Sequence, residues 1–230
     1  MNIAIIPARG GSKRIPRKNI KLFHGKPMIA YSIEAAIESG CFDKIIVSTD
    51  DQEIAEVALQ YGAEVPFLRP EKISDDHATT MDVMQHALNW CNDQQWNVEL
   101  VCCIYATAPF ILAEYIQQGL RLLAANNIKY AFSATTFAFP IQRAITLLDN
   151  GTVSMFTPEY ENTRSQDLPE AYHDAGQFYW GTAEAFKEAK PVFSSYSQVV
   201  LLPRKRVQDI DTQEDWELAE ALYSALKQSR

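Results

Sequence analysis

The chain is short of cysteine, of cations and of long apolar runs, and each shortage narrows what it can be. Its four cysteines, Cys41, Cys91, Cys102 and Cys103, form no CxxC pair and no even spacing. No disulfide framework is expected, and a reduced, cytoplasmic protein fits that usage. The longest apolar stretch, Leu100 to Ala113, has 14 residues and is broken by Thr107 and Pro109. A membrane-spanning helix needs ~20. No positively charged segment followed by an apolar core opens the chain, so no signal peptide is expected. Lys plus Arg number 21 against 29 Asp plus Glu, a net charge of −8. That sign is wrong for a duplex-DNA binder or a peripheral membrane protein, and neither nucleic acid nor membrane is expected as a partner. Internal repeats, low-complexity tracts and nucleophile motifs of the GxSxG kind are missing as well. His24, His77, His86 and His173 share no metal-ligand spacing, and Cys102–Cys103 falls in an apolar strand pattern that suits packing.

What is present is a globular composition: 230 residues, 47% of them apolar and 22% charged, enough for a core that needs no metal or disulfide staple. The cations are unevenly placed. Residues 9–26, RGGSKRIPRKNIKLFHGK, hold seven basic residues and no acid, leaving 14 basic against 29 acidic groups elsewhere. Such a segment is either a solvated basic loop or an anion site.

Ile3 to Ile6 is an apolar run of buried-strand length. After the basic loop, Pro27 opens a helical pattern closed by Gly40. Lys44 to Thr49 reads as a strand. Asp50 or Asp51 can cap the helix that follows, through Tyr61. A short strand is expected over Ala63–Phe67. Thr79 or Thr80 can cap a helix to about Asn92. Strands are expected at Val98–Ile104, Tyr130–Thr135, around Gln177–Trp180 and at Gln198–Leu202. Helices are expected at Leu112–Asn126, Thr182–Ala189 and Thr212 to about Lys227. The alternation predicts an α/β protein with a Rossmann-like open, mostly parallel sheet and helices on both faces. We read 1–230 as a single domain. Residues 137–172 break the rhythm with three prolines, an Asn150–Gly151 turn and no helical period. They are expected to form a protruding arm for dimerisation, because their apolar residues have no regular element of their own to pack on.

Ligands of open α/β sheets bind at the carboxyl ends of strands, and Pro7 to Arg14 leaves the first strand there. Gly10 and Gly11 let the backbone bend close to a ligand, and Arg9, Lys13, Arg14 and Lys18 supply the charge a triphosphate needs. In Asp209-Ile210-Asp211, an extended backbone turns both carboxylates to one face, ~7 Å apart, with room for a hard cation and its waters. The alternative is that Asp211 caps the last helix, with Thr212 and Asp215 resembling a capping box.

Pro7-Ala8-Arg9-Gly10-Gly11-Ser12-Lys13-Arg14, then Lys18-Asn19, resembles the signature of the CMP-nonulosonic acid synthetases. Val47-Ser48-Thr49-Asp50, Arg69-Pro70 with Asp76-His77-Ala78-Thr79-Thr80, and Asp209-Ile210-Asp211 follow in the family's order. The segment Thr163 to Trp180 resembles the pseudaminic acid branch. Tyr105-Ala106-Thr107-Ala108-Pro109 departs from the Gln-Pro-Thr-Ser-Pro of the sialate enzymes. The resemblance implies transfer of CMP from CTP to the anomeric hydroxyl of a nine-carbon acidic sugar, with Mg²⁺ as cofactor; the 137–172 arm makes a homodimer the expected assembly. It implies that Ala8, Arg9, Gly10, Gly11, Ser12, Lys13 and Asn19 hold the nucleotide's phosphates and ribose, and that Arg69, Ala78 and Thr80 read cytosine. It places Lys18 at the α-phosphate as a catalytic group with Arg9 and Asp211, and makes Asp209 and Asp211 the metal ligands. Tyr105, Gln177 and Tyr179 would line the sugar pocket, with Arg164 nearest to a carboxylate partner. Sialic or legionaminic acid is the alternative sugar, and a nucleotide-sensing module without turnover is the alternative class.

Overall fold

A computed structural model describes residues 1–228 apart from Asp76 and Asn126, so the Asp76 of the fourth motif lies outside the described residues. The chain runs β1 (Asn2–Pro7), a two-strand ribbon of β2 (Leu22–Phe23) and β3 (Lys26–Pro27), α1 (Met28–Ser39), β4 (Lys44–Ser48) and α2 (Gln52–Gln60). It continues through α3 (Thr80–Asp93), β5 (Leu100–Ile104), α4 (Ala113–Leu122) and β6 (Tyr130–Thr136). A hairpin of β7 (Ile145–Leu147) and β8 (Val153–Met155) comes next, then β9 (Tyr172–Thr182), α5 (Ala183–Lys187), β10 (Ser197–Leu201) and α6 (Gln213–Gln228).

Six strands form the main sheet in the order β10-β6-β9-β5-β1-β4. Five run parallel, and β9 is antiparallel to both β5 and β6. Alternation along the strands divides the core between two faces. Ala4, Ile6, Val47, Cys102, Ile104 and Trp180 pack under α1, α2 and α4. Ile3, Ile5, Ile46, Cys103 and Tyr130 pack under α3 and α5. Cys102 and Cys103 are thus buried on opposite faces, as packing residues. A third cluster, built from Ile15, Phe23, Tyr31, Phe110 and Trp216, seats α6 against the basic loop and α1.

One expectation needs correction. Ala63–Phe67 is no strand; it meets β4 through a single parallel bridge, Ile46 to Glu64, beside the Lys44–Glu64 ion pair. The strand expected around Gln177–Trp180 is present and runs from Tyr172 to Thr182. Residues 137–171, between β6 and β9, carry the β7–β8 hairpin and short 3₁₀ turns, with no buried residue in those elements. Phe139, Leu147, Val153 and Phe156 are 61–83% exposed. Among the described residues, no helix is long and apolar enough to cross a membrane.

Gly119 lets α4 lie directly on the sheet. A Cβ there would stand 2.6 Å from the ring of Trp180 and 2.9 Å from Phe178. Alanine gains up to about 1 kcal/mol of helix propensity over glycine, but overpacking against two rings costs about 1–3 kcal/mol, and neither ring can yield because both are fully buried. Gly119→Ala should therefore lower the urea midpoint at unchanged m-value. A raised midpoint would mean that the helix is free to slide away from the sheet.

Candidate functional site

The carboxyl ends of β1 and β5 open into a cavity of about 300 Å³. Arg9, Ser12, Lys13, Lys18 and Asn19 of the basic loop line one wall. Arg69, Ala78, Thr80 and Tyr105 line the other, and Asp211 closes the end. A second cavity of about 500 Å³ adjoins it, lined by His173, Asp174, Gly176, Tyr179, Gln208 and Asp209. Tyr105 and Thr107 border both, so the two clefts share a wall.

The basic loop is shaped by its backbone. Ala8 is buried and donates its N–H to the Ser48 carbonyl at 2.9 Å. Gly10 has no room for a side chain, since a Cβ would meet the Asp51 carboxylate at 2.7 Å, whereas Gly11 faces open space. Asn19 is buried and its amide donates to the Arg9 carbonyl at 2.9 Å, closing the loop on itself. Arg17, in the left-handed region at φ 56°, pairs with Asp51 and Glu53 and pins the loop to the start of α2. That pairing holds the Asp51 carboxyl below its usual range.

Lys18 is turned inward, its side chain 18% exposed. Its Nζ donates to the Ile210 carbonyl at 2.6 Å and lies 3.2 Å from Asp211 Oδ1. Arg14 meets the other Asp211 oxygen at 2.8 Å. Buried Ile210 anchors the segment and leaves Asp209 and Asp211 to the two adjoining clefts. Burial, then the nearby Asp211 charge, pushes the Asp209 carboxyl up, with Lys18 opposing. Hard oxygen donors that repel one another fit a divalent cation. Magnesium commonly takes one or two carboxylates, with phosphate oxygens and waters completing its shell.

The capping alternative for Asp211 is resolved. Thr212 caps α6: its Oγ1 accepts from the Asp215 N–H at 3.2 Å, and the Asp215 carboxylate accepts the Thr212 N–H at 2.7 Å. Asp211 contributes only its backbone N–H to that box.

In the second cleft, the Tyr179 hydroxyl donates to Asp174, which also accepts the Gly176 N–H at 2.8 Å. Burial, then Tyr105 and Asp174, raises the Tyr179 hydroxyl far above its ordinary value, so it stays protonated as a donor. Tyr105 packs 5.3 Å from that ring, and its hydroxyl lies 3.3 Å from Thr80 Oγ1.

Of the residues singled out, Ala8, Gly10 and Gly11 shape the loop without lining either cleft, and Gln177 and Arg164 do not reach one. Gln177 is 97% buried, with its amide donating to the Arg206 carbonyl at 2.5 Å. Its carbonyl oxygen is enclosed without a partner. Arg164 sits in the arm, 72% exposed and paired with Asp167. Residues the motifs under-used are Asp174 and Asp50. Both lie inside quoted segments, and their roles appear only when the strand ends converge.

The chain matches the family model described as cytidylyltransferase over residues 3–229. It is 50% identical to the pseudaminic acid cytidylyltransferase of Campylobacter jejuni, over 99% of this chain and 98% of that one. It is 35% identical to the CMP-N,N'-diacetyllegionaminic acid synthase of Legionella pneumophila, over 96% of this chain and 95% of that one. Among solved structures, CMP:2-keto-3-deoxy-manno-octonic acid synthetase complexed with CTP aligns with a TM-score of 0.71 at 15% identity, covering 97% and 98% of the two chains. That likeness establishes a common fold.

The two possible roles of Asp211 separate in a melt. Thr212→Ala should cost about 1 kcal/mol, the worth of an N-cap. Asp211→Ala should cost less, because its carboxylate is more than a third exposed and ion pairs open to water are worth about 0–1 kcal/mol. The reverse order of melting temperatures would return Asp211 to the cap.

Proposed function

This chain belongs to the cytidylyltransferase family, and from that premise we propose that it transfers CMP from CTP to the anomeric hydroxyl of a nonulosonic acid, releasing pyrophosphate. Pseudaminic acid is the sugar favoured by the 50% identity over nearly the full length. Sialic and legionaminic acids are the alternatives that the same assay tests.

The observation that carries the reading is the junction at Lys18. A cation from the phosphate loop rests on the segment that presents Asp209 to one cleft and Asp211 to the other. With CTP in the first cleft and the sugar in the second, the sugar oxygen bonds to the α-phosphorus as the bond from that phosphorus to the bridging oxygen breaks; pyrophosphate leaves with the electron pair, and the hydroxyl proton passes to solvent. Phosphoryl and nucleotidyl transfers are catalysed mainly by positioning and charge neutralisation. Arg9, Ser12 and Lys13 hold the triphosphate. Lys18 faces the α-phosphate and stabilises charge that grows only as the transition state forms. Arg69, with the backbone at Ala78 and Thr80, meets the cytosine edge. Tyr179, held by Asp174, offers its hydroxyl side to the sugar beside Tyr105. Asp209 and Asp211 would hold Mg²⁺, which when bound shares the phosphate charge and makes the sugar hydroxyl more acidic.

The arm suits a homodimer. Its exposed Phe139, Leu147, Val153 and Phe156 are not covered by any of the described residues, and an isolated two-strand hairpin is marginal in water. A second copy would supply that cover by a symmetric contact. Leu147→Glu should shift the mass in light scattering from dimer to monomer. A wild-type monomer at micromolar concentration refutes this assembly.

Pyrophosphate release from CTP, measured across free pseudaminic, sialic and legionaminic acids, tests the activity directly. Turnover should be greatest with pseudaminic acid and be abolished by a chelator of divalent cations. Binding of CTP with no turnover on any of the sugars would favour a sensing module instead. Lys18→Ala should reduce kcat by roughly 10²–10³, the loss seen when one transition-state donor is removed, with a smaller change in CTP affinity. A variant with normal kcat and weakened CTP binding would reassign Lys18 to ground-state binding.

A further inference from the structure

Asp50 closes the Val47-Ser48-Thr49-Asp50 motif at the end of β4 and has no part in the proposed reaction so far. Its neighbour Asp51 caps α2, accepting the Ile54 N–H at 3.0 Å, and is engaged by Arg17. The Asp50 carboxylate is therefore not needed by the helix. Its Oδ1 accepts the Gly10 N–H at 3.0 Å. The same oxygen stands 3.6 Å from Nη2 of Arg69. One oxygen thus faces both the phosphate loop and the guanidinium expected at the base.

Arg69 needs a counter-charge. Its side chain is 4% exposed, its backbone N–H is fixed to the Thr49 carbonyl at 2.7 Å, and its Nε is enclosed without a partner. Burial pulls the guanidinium below its ordinary range, Asp50 pushes it back up, and the nearby Arg9 charge pulls it down again. The other titratable neighbour is His86, packed edge-on against Phe67. Burial, then the charge of Arg69, lowers the His86 imidazole below its ordinary value, so it is neutral and offers no compensation. Asp50 is the one carboxylate at ion-pair distance from Arg69 among the described residues. A buried charge that loses its partner is strongly destabilised.

We infer that Asp50 is a positioning residue that fixes the Arg69 guanidinium in the nucleotide cleft and ties it through the Gly10 amide to the phosphate loop, so that base recognition and phosphate seating depend on one carboxylate. The inference rests on the first cleft being the CTP site. It explains why a second aspartate, Asp51, directly follows the motif's Asp50: one serves the helix and the other the cleft.

Steady-state kinetics with CTP and UTP on Asp50→Asn, on Arg69→Met and on the double variant test it. Asparagine keeps an oxygen for the Gly10 N–H but removes the charge. Losing a charge-assisted contact should lower kcat/KM for CTP by about 10- to 100-fold, chiefly through KM. The preference for CTP over UTP should shrink with it. In the Arg69→Met background, Asp50→Asn should add little further, because the partner is already gone. Asp50→Ala, which also releases the loop, should lower kcat as well. The CTP-to-UTP ratio is taken on one sample, so a partly unfolded variant still gives a valid answer. An Asp50→Asn enzyme with the wild-type ratio, or effects that simply add in the double variant, overturns the role assigned to Asp50. A wild-type enzyme with no preference for CTP overturns the reading of the cleft itself.

Discussion

The Lys18 ammonium, held against the Ile210 carbonyl and the Asp211 carboxylate, ties the first strand's loop to a segment almost two hundred residues later. Such a closure has an entropic cost, and the contact alone is too exposed at Asp211 to meet it. What meets it is the apolar packing behind: Ile210 and Trp216 bury against Phe23, Tyr31 and Phe110, with Lys21 lying over the Trp216 ring at 4.3 Å. The third core cluster therefore does for the site what the two sheet faces do for the fold. It places a cation and two carboxylates from opposite ends of the chain around one point.

A common device prepares three edges of the first cleft. At each, two adjacent residues are able to cap a helix, and one takes the cap while the other turns to the cleft. Asp51 caps α2 and Asp50 faces Gly10 and Arg69. Thr79 caps α3 through a box with Asp82, and Thr80 lines the cleft. Thr212 caps α6 and Asp211 meets Lys18. A helix N-terminus needs an oxygen for its free amides, and a phosphate-binding cleft at strand ends lies next to such termini by topology. Doubling the polar residue serves both demands without compromise.

That doubling marks where the sequence could be read and where it could not. Apart from the strand expected over Ala63–Phe67, strand and helix identities followed from runs and periodicity, and both sheet faces were legible in Ile3 to Ile6 because burial on two sides needs an unbroken apolar run. The basic loop stood out by charge alone. Which of Asp50 and Asp51, or Thr79 and Thr80, caps its helix was not legible, since the two members of each pair have equivalent local chemistry and only the residue across the cleft decides. Arg164 and Gln177 show the opposite failure. Their residue types suit a sugar, but Arg164 has its own acid three positions on, and Gln177 is drawn into the sheet to reach the Arg206 carbonyl.

The second cleft depends on a feature no side-chain pattern could signal. In a regular strand, residues five apart are separated by about 17 Å, yet the Tyr179 hydroxyl bonds the Asp174 carboxylate. The register explains it: Phe132 and Ala134 of β6 pair with Tyr179 and Asp174 of β9, so β9 carries a bulge opposite a two-residue step. Gly176 takes the left-handed conformation at φ 61°, with open space around it; the demand is on the backbone angle, not on room. Ser133, fully buried, supplies the oxygen that the displaced Gln177 and Phe178 amides need, at 3.2 Å each. Without that hydroxyl the bulge would leave two amide groups buried without a partner, at a cost of about 1–3 kcal/mol each. The bulge re-aims Asp174 out of the sheet and onto Tyr179, and it is this bend that turns the end of an antiparallel strand into the wall of a cleft.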